Sequence, residues 1–348
     1  MAHVTGLRRR PAVGGGPPPR RGDLLRRGSA SLGASVVVAA LLGSVSTGAQ
    51  QSPRPQACDN PDRSVTLYAK RLAPRRVGYG FTPATVSIPG PTLEMQEGEC
   101  LAVRLENRTT KRVSVHSHGV DYTVASDGTR LNSSCTKPGG SRTYFFSTHE
   151  ASARGDGTVE AGSAGYWHYH DHCSGSPHGT GGINAGLFGA FIVRRSGDPV
   201  PDRNPFVVVM GPGAHINLKE APHTPLFRAN EGERVEFVVI THGDLFHTFH
   251  LHGHRWADNR TGIPASPDDP VQVIDNRTSG PADSFGFQVI AGEGVGPGAW
   301  MYHCHVQGHS DVGMTGLFLV RDTAGRLTEA AQAALEAWQH HGSTHGSH

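Results

Sequence analysis

The chain has 348 residues, 36% hydrophobic and 18% charged, so a buried core is within reach and wholesale disorder is excluded. The formal charge of +2 belongs to the leader: residues 1–49 carry seven Arg and one Asp, and without that +6 about −4 remains. With no basic cluster in the remainder, nucleic-acid binding has no electrostatic basis.

Residues 1–49 read as an export signal. Arg26-Arg27 precede the small and apolar run from Ser29 to Val45, and Thr47-Gly48-Ala49 supplies an A-x-A-like cleavage site. Twin arginines fit the route that exports already folded proteins. A secreted or extracytoplasmic protein is expected, and no later run of 18 apolar residues offers a membrane span after processing. Five cysteines are an odd number for an exported chain. Cys304, flanked by two histidines, is the natural exception; Cys58, Cys100, Cys135 and Cys173 allow three pairings, of which Cys58–Cys100 with Cys135–Cys173 is the expected one.

From residue 50 onward, Gly and Pro punctuate short apolar or alternating runs. The chain's 46 Gly and 24 Pro favour strands and turns over a helical bundle. In chain order, Glu97-Gly98-Glu99 opens a stretch that passes Val113-Ser114-Val115 and ends in His116-Ser117-His118-Gly119. Tyr169-His170-Asp171-His172 follows, then a strand from Gly186 to Val193, then a Gly/Pro break from Arg195 to Asn204. Beyond the break, Val207-Val208-Val209 and Val235-Glu236-Phe237-Val238 are strand-like. Glu231-Gly232-Glu233 opens a second stretch ending in His250-Leu251-His252-Gly253. Tyr302-His303-Cys304-His305 and a strand from Gly316 to Val320 complete the series. Gly98 to His116 and Gly232 to His250 are both 18 residues; His116 to His170 is 54 and His250 to His303 is 53. Four landmarks in one register mean two copies of one domain, residues 50–197 and 198–325. Residues 326–348 add a short helix, over 326–339, and a His-rich tail. Each copy reads as an antiparallel Greek-key β-sandwich, an all-β chain.

The 22 histidines exceed structural need, and their spacing says more than their number. A His-x-His on a strand puts two imidazoles on one face, because side chains alternate. His303 and His305 therefore point one way and Cys304 the other; likewise His250 and His252 oppose His247. The thiolate side gathers His247, Cys304, His309 and Met314, two imidazoles with a thiolate and a thioether, which describes a blue-copper site. Zinc is disfavoured, since no Cys-x-x-Cys accompanies Cys304 and Met is a poor zinc ligand. The opposite side gathers His116, His118, His170, His172, His250, His252, His303 and His305, eight imidazoles without carboxylate or thiolate, fitting three copper ions. Because four come from each repeat, that cluster must lie between a first and a second domain.

These motifs resemble the multicopper oxidases, and the domain count resembles the small two-domain bacterial laccases, over about residues 64–322. The resemblance implies two cupredoxin-like domains and four copper ions per chain. His247, Cys304, His309 and Met314 look like type 1 ligands, His116 and His250 like type 2 ligands, and His118, His170, His172, His252, His303 and His305 like type 3 ligands. His168 in Trp167-His168-Tyr169-His170 is one more histidine than the family pattern, and His254 shares the parity of His250 and His252; both are expected outside the ligand set. His149, His178, His215, His223 and His242 read as ordinary residues. Reduction of dioxygen to water consumes protons; the resemblance makes Asp127 the first proton donor, with Asp275 a second candidate and Tyr122 a candidate electron donor. Where relatives carry a carboxylate after the last motif, this chain has Gln307. Two-domain relatives look like homotrimers with clusters between subunits, and the same is expected here. The implied activity is a laccase's, oxidising phenols or aromatic amines with dioxygen. A cuprous or ferrous ion oxidase is the alternative, although only five Met are present. A copper carrier would not need eight further histidines, and a nitrite reductase would carry its blue-copper ligands in the first domain, where Asp171 stands in place of Cys304's counterpart.

Overall fold

A computed structural model describes Cys58 and residues 60–341; residues 1–49, expected to be an export signal, and the end of the His-rich tail lie outside the described residues. The first repeat folds into strands β1 (Arg63–Ala73), β2 (Arg76–Gly80), β3 (Leu93–Gln96), β4 (Cys100–Arg108), β5 (His116–Ser117), β6 (Ser141–Ser147), β7 (Gly165–His170) and β8 (Phe188–Arg194). The second supplies β9 (Phe206–Met210), β10 (Leu226–Asn230), β11 (Arg234–Thr241), β12 (His247–Leu251), β13 (Asn276–Ser279), β14 (Ser284–Ile290), β15 (Gly298–Cys304) and β16 (Thr315–Arg321). Three helices are added: α1 (Thr180–Ala185), α2 (Gln307–Asp311) and α3 (Glu329–His341).

Each repeat is a sandwich of two sheets, ordered β2-β1-β4-β6 with β3-β8-β7-β5, and β9-β11-β14 with β10-β16-β15-β12-β13. Apart from the edge strands β2 and β13, the orders correspond strand for strand, as the repeat requires. The sheets are mixed, which corrects the purely antiparallel expectation: β1 runs parallel to β4, β3 to β8, β9 to β11 and β10 to β16. In every case the chain visits the other sheet between the paired strands, so they return in the same direction. Val113-Ser114-Val115 is buried but forms no strand, Val113 only bridging Thr136. Helix α3 starts at Glu329 rather than 326, where Thr328 Oγ1 accepts a hydrogen bond from the Ala331 amide and caps the first turn.

Each sandwich has its own core, around Tyr144, Phe146 and Phe191 in the first and Phe237, Phe249 and Phe287 in the second. A third cluster joins them: Tyr166, Phe188, Ala190 and Ile192 pack against Val209, Val238 and Ile240. Strand β8 is therefore buried on both faces, and its continuous apolar run follows. A buried polar lock pins the same interface. Glu236 is fully buried and accepts two hydrogen bonds from Arg194, both at 2.9 Å, one from Tyr166 Oη at 2.6 Å and one from Gln288 Nε2 at 3.1 Å. The disulfides are Cys58–Cys100 and Cys135–Cys173, leaving Cys304 free and buried.

Candidate metal centre

The thiolate set is built by the ladder of β12 and β15, which places Phe249 opposite Cys304 and His250 opposite His303. Side-chain alternation then turns Cys304 into the second core and His303 away from it. His247 Nδ1 lies 3.7 Å and His309 Nδ1 3.6 Å from Cys304 Sγ. The loop closes on itself: the Met314 amide donates to His309 O at 3.0 Å and the Cys304 amide to Met314 O at 3.0 Å. Cys304, His247 and Met314 are all fully buried. The Thr248 amide points at Cys304 Sγ from 3.5 Å, a donor suited to a thiolate. Burial and the neighbouring His309 push the His247 imidazole down to about 4, so it is a neutral base at pH 7.

The remaining eight imidazoles form two half-sites. In the first sandwich His116, His118 and His170 converge, with His118 Nε2 3.1 Å from His170 Nε2, and the His172 ring lies 5.0 Å from that of His116. In the second, His250, His252 and His303 converge, with His252 Nε2 3.2 Å from His303 Nε2, and the His305 ring lies 5.3 Å from that of His303. The tautomers are set by the backbone. His116 Nδ1 donates to Asp127 O at 2.7 Å, His250 Nδ1 to Asp275 O at 2.8 Å, His170 Nδ1 to Asp171 O at 2.9 Å and His303 Nδ1 to Cys304 O at 2.8 Å. Each Nε2 lone pair is thereby turned toward its neighbours, the arrangement that fixes a metal-ligating histidine. Burial lowers the pKa of His116, His170, His252 and His303, and takes His118 to about 4. Neutral nitrogens facing one another 3.1–3.2 Å apart fit a cation between them, and a nitrogen-only donor set suits copper.

The glycine that closes each His-x-His-Gly motif is there for a tryptophan. Gly119 has φ +73° and a Cβ there would strike the Trp167 ring; Gly253, at φ +71°, would put one 2.8 Å from Trp300 Cε3. Among the described residues the two half-sites share no ring contact or hydrogen bond. The first is the more buried, while the second is only partly covered.

The two candidate acids prove to be counterparts: Asp127 and Asp275 each hold the first histidine of a motif through a backbone carbonyl. Asp127 Oδ1 lies 3.6 Å from His116 Nδ1, and Oδ2 accepts from Asn132 at 2.6 Å and from Thr129. Asp275 is more open, its carboxylate 3.9 Å from His250 Nδ1. Tyr122 stands edge-on to His116 with centroids 6.1 Å apart, and burial beside Asp127 raises its pKa. Gln307 Nε2 lies 3.5 Å from His305 Nδ1. His254 donates Nδ1–H to His252 O at 3.0 Å and accepts from the Gly292 amide at 3.0 Å, so its nitrogens are occupied. Asp171 is fully buried and accepts from the Ser114 amide at 2.8 Å, the Cys173 amide at 3.1 Å and the Ser174 amide at 2.8 Å. It thus fills the place of Cys304 with hydrogen bonds. One expectation needs correction: His242 is no ordinary residue, being 3% exposed with its ring 5.5 Å from that of the cluster histidine His170. Its sequence neighbourhood carries no motif that marks it.

Family profiles described as multicopper oxidase match residues 84–198 and 200–324. The chain is 32% identical over 281 residues to a probable nitrite reductase-hydroxylamine oxidoreductase fusion protein of Kuenenia stuttgartiensis, over 74% of this chain and 30% of that protein. It is 33% identical over 124 residues to Laccase-9 of Arabidopsis thaliana, over 34% of this chain and 18% of that protein. The chain therefore spans less than a third of these relatives' length. A blue copper oxidase structure from Nitrosomonas europaea superposes with a TM-score of 0.52 at 21% identity, over 79% of this chain and 94% of that one, which supports the cupredoxin-like fold of both sandwiches. Two matched profiles, one on each His-bearing sandwich and together covering most of the chain, make this protein a member of the multicopper oxidase family.

Proposed function

We propose that the protein is a laccase, removing single electrons from phenols or aromatic amines and reducing dioxygen to water. Copper bound by these residues would accept electrons one at a time at the Cys304 set and deliver four to dioxygen at the joined half-sites. The observation that carries the reading is the shared strand: Cys304 Sγ faces His247 and His309, while the next residue in each direction, His303 or His305, belongs to a half-site. A single peptide unit links Cys304 to each of them, and His303 Nδ1 also donates to Cys304 O. Asp127 and Asp275 hold His116 and His250, the expected type 2 ligands, through their backbone carbonyls and would supply protons, and Tyr122 beside His116 would be a reserve electron donor. The half-sites of one chain share no ring contact or hydrogen bond among the described residues, which supports a homotrimer whose clusters would form between the first sandwich of one copy and the second of the next, with four copper ions per chain; the twin-arginine leader supports its secretion.

An organic substrate has a place to dock. A cleft of about 890 Å³ lies between the loop bearing His215, Glu220 and Pro222 and the segment just after His309, with Trp338 of α3 as its wall. His215 Nε2 and Glu220 Oε1 are 3.2 Å apart within it. As a phenol surrenders an electron its hydroxyl proton must leave, and the Glu220 carboxylate would lie close to receive it. The test is oxygen uptake by copper-loaded protein with a phenol, with Cu(I) or Fe(II), and with nitrite plus reductant. A laccase is fastest with the phenol; faster turnover of the metal ion or of nitrite would replace this reading.

A further inference from the structure

Two buried imidazoles beside the first half-site have no part in the ligand set. His168 and His242 are 0% and 3% exposed, and the Nε2 of each is without a hydrogen-bond partner. His168 belongs to the first sandwich, and its ring stacks on His118 with centroids 4.0 Å apart and planes 23° apart. Its Nδ1 faces Ser284 Oγ of the second sandwich at 3.3 Å, and that hydroxyl donates to Tyr166 O at 2.9 Å. His168 therefore donates from Nδ1 and keeps a bare lone pair on Nε2. His242 comes from the second sandwich and meets the same group, its ring 5.1 Å from His168, 5.5 Å from His170 and 5.4 Å from Phe188. Its backbone is held by a 2.9 Å bond from its amide to Met210 O and by the close approach of Gly211, where any Cβ would strike His242 O.

A buried nitrogen without a partner lowers stability, and a phenyl ring of similar shape would avoid that loss. Beside a cation an unpaired nitrogen can instead find a favourable partner. In a low-dielectric pocket the dipole of an imidazole interacts strongly with nearby positive charge. Among the described residues the second half-site has no such backing: the ladder counterpart of His168 is Met301, which is exposed, and His254 has both nitrogens hydrogen-bonded.

We propose that His168 and His242 are positioning residues that stabilise copper in the first half-site by packing on His118 and His170 and by their ring dipoles. The second sandwich, through Ser284 and His242, thereby helps to hold metal in the first sandwich of its own chain. The proposal rests on the reading that this half-site binds copper. It is tested on the full-length, copper-loaded protein with His168→Phe, His242→Phe and His242→Gln, following copper loss to EDTA while the blue absorption reports the Cys304 set. The phenylalanine variants are expected to lose non-blue copper at least about tenfold faster than the parent. They should lose the blue band at the parental rate, with His242→Gln in between, and their metal-free forms should be no less stable at pH 7. Parental copper retention in both phenylalanine variants overturns the proposal. So does a matching loss of stability in the metal-free variants, which marks a purely structural role. If the parent itself holds blue copper alone, the cluster reading fails first, and this proposal with it.

Discussion

His242 gives the metal-free protein a specific acid sensitivity. Burial, with the nearby His118, pushes its imidazole down to about 3, against an ordinary value of 6.5 in the unfolded chain, and the rings in contact with it, His168 and His170, are lowered as well. At pH 5 the unfolded chain binds a proton at this position and the folded chain does not, so stability falls as pH falls. The contribution is whole above pH 6.5 and is lost progressively down to about pH 3. Between pH 7 and pH 5 one such group accounts for about 2 kcal/mol. Denaturant unfolding of metal-free parent and His242→Phe at both pH values measures it: the parent should lose about 2 kcal/mol more than the variant over that interval. Equal losses would show that His242 is not held neutral in the folded interior, and the packing described around it would be wrong.

Other outcomes follow from the same geometry. Cys304→Ser should abolish the blue absorption and phenol oxidation while circular dichroism keeps its β signature; surviving colour would reassign the ligand. Met314→Leu should raise the blue-copper potential, read by redox titration, since a weak axial donor is removed from a fully buried site. Trp338→Ala should raise KM for a phenol several-fold with the blue band unchanged, because α3 walls the cleft rather than the metal. Asp127→Asn should slow oxygen reduction under saturating phenol with normal copper content, since the His116 bond goes to its backbone carbonyl and survives the change.

Much of this was legible in the chain. The parity of His303, Cys304 and His305 foretold two faces, and the ladder of β12 and β15 realises it. Repeat spacing located both half-sites, because strand length and Gly turns are local properties. Tertiary events were not legible. The parallel edges depend on when the chain switches sheets, which no residue spacing records. The backbone role of Asp127 and Asp275 depends on loops folding back over 11 and 25 residues. His242 was invisible because its importance comes from the other sandwich: only the packing of Phe188 and Ile192 against Val238 and Ile240 brings it to His170. The cleft likewise joins His215, Glu220 and Trp338 from segments with no shared pattern.

The most direct test is copper content and sedimentation measured on the same active sample. The expected result is four copper ions per chain, one of them blue, in a particle of three chains. An active monomer, or a full copper complement in separated chains, would contradict the joining of half-sites between copies.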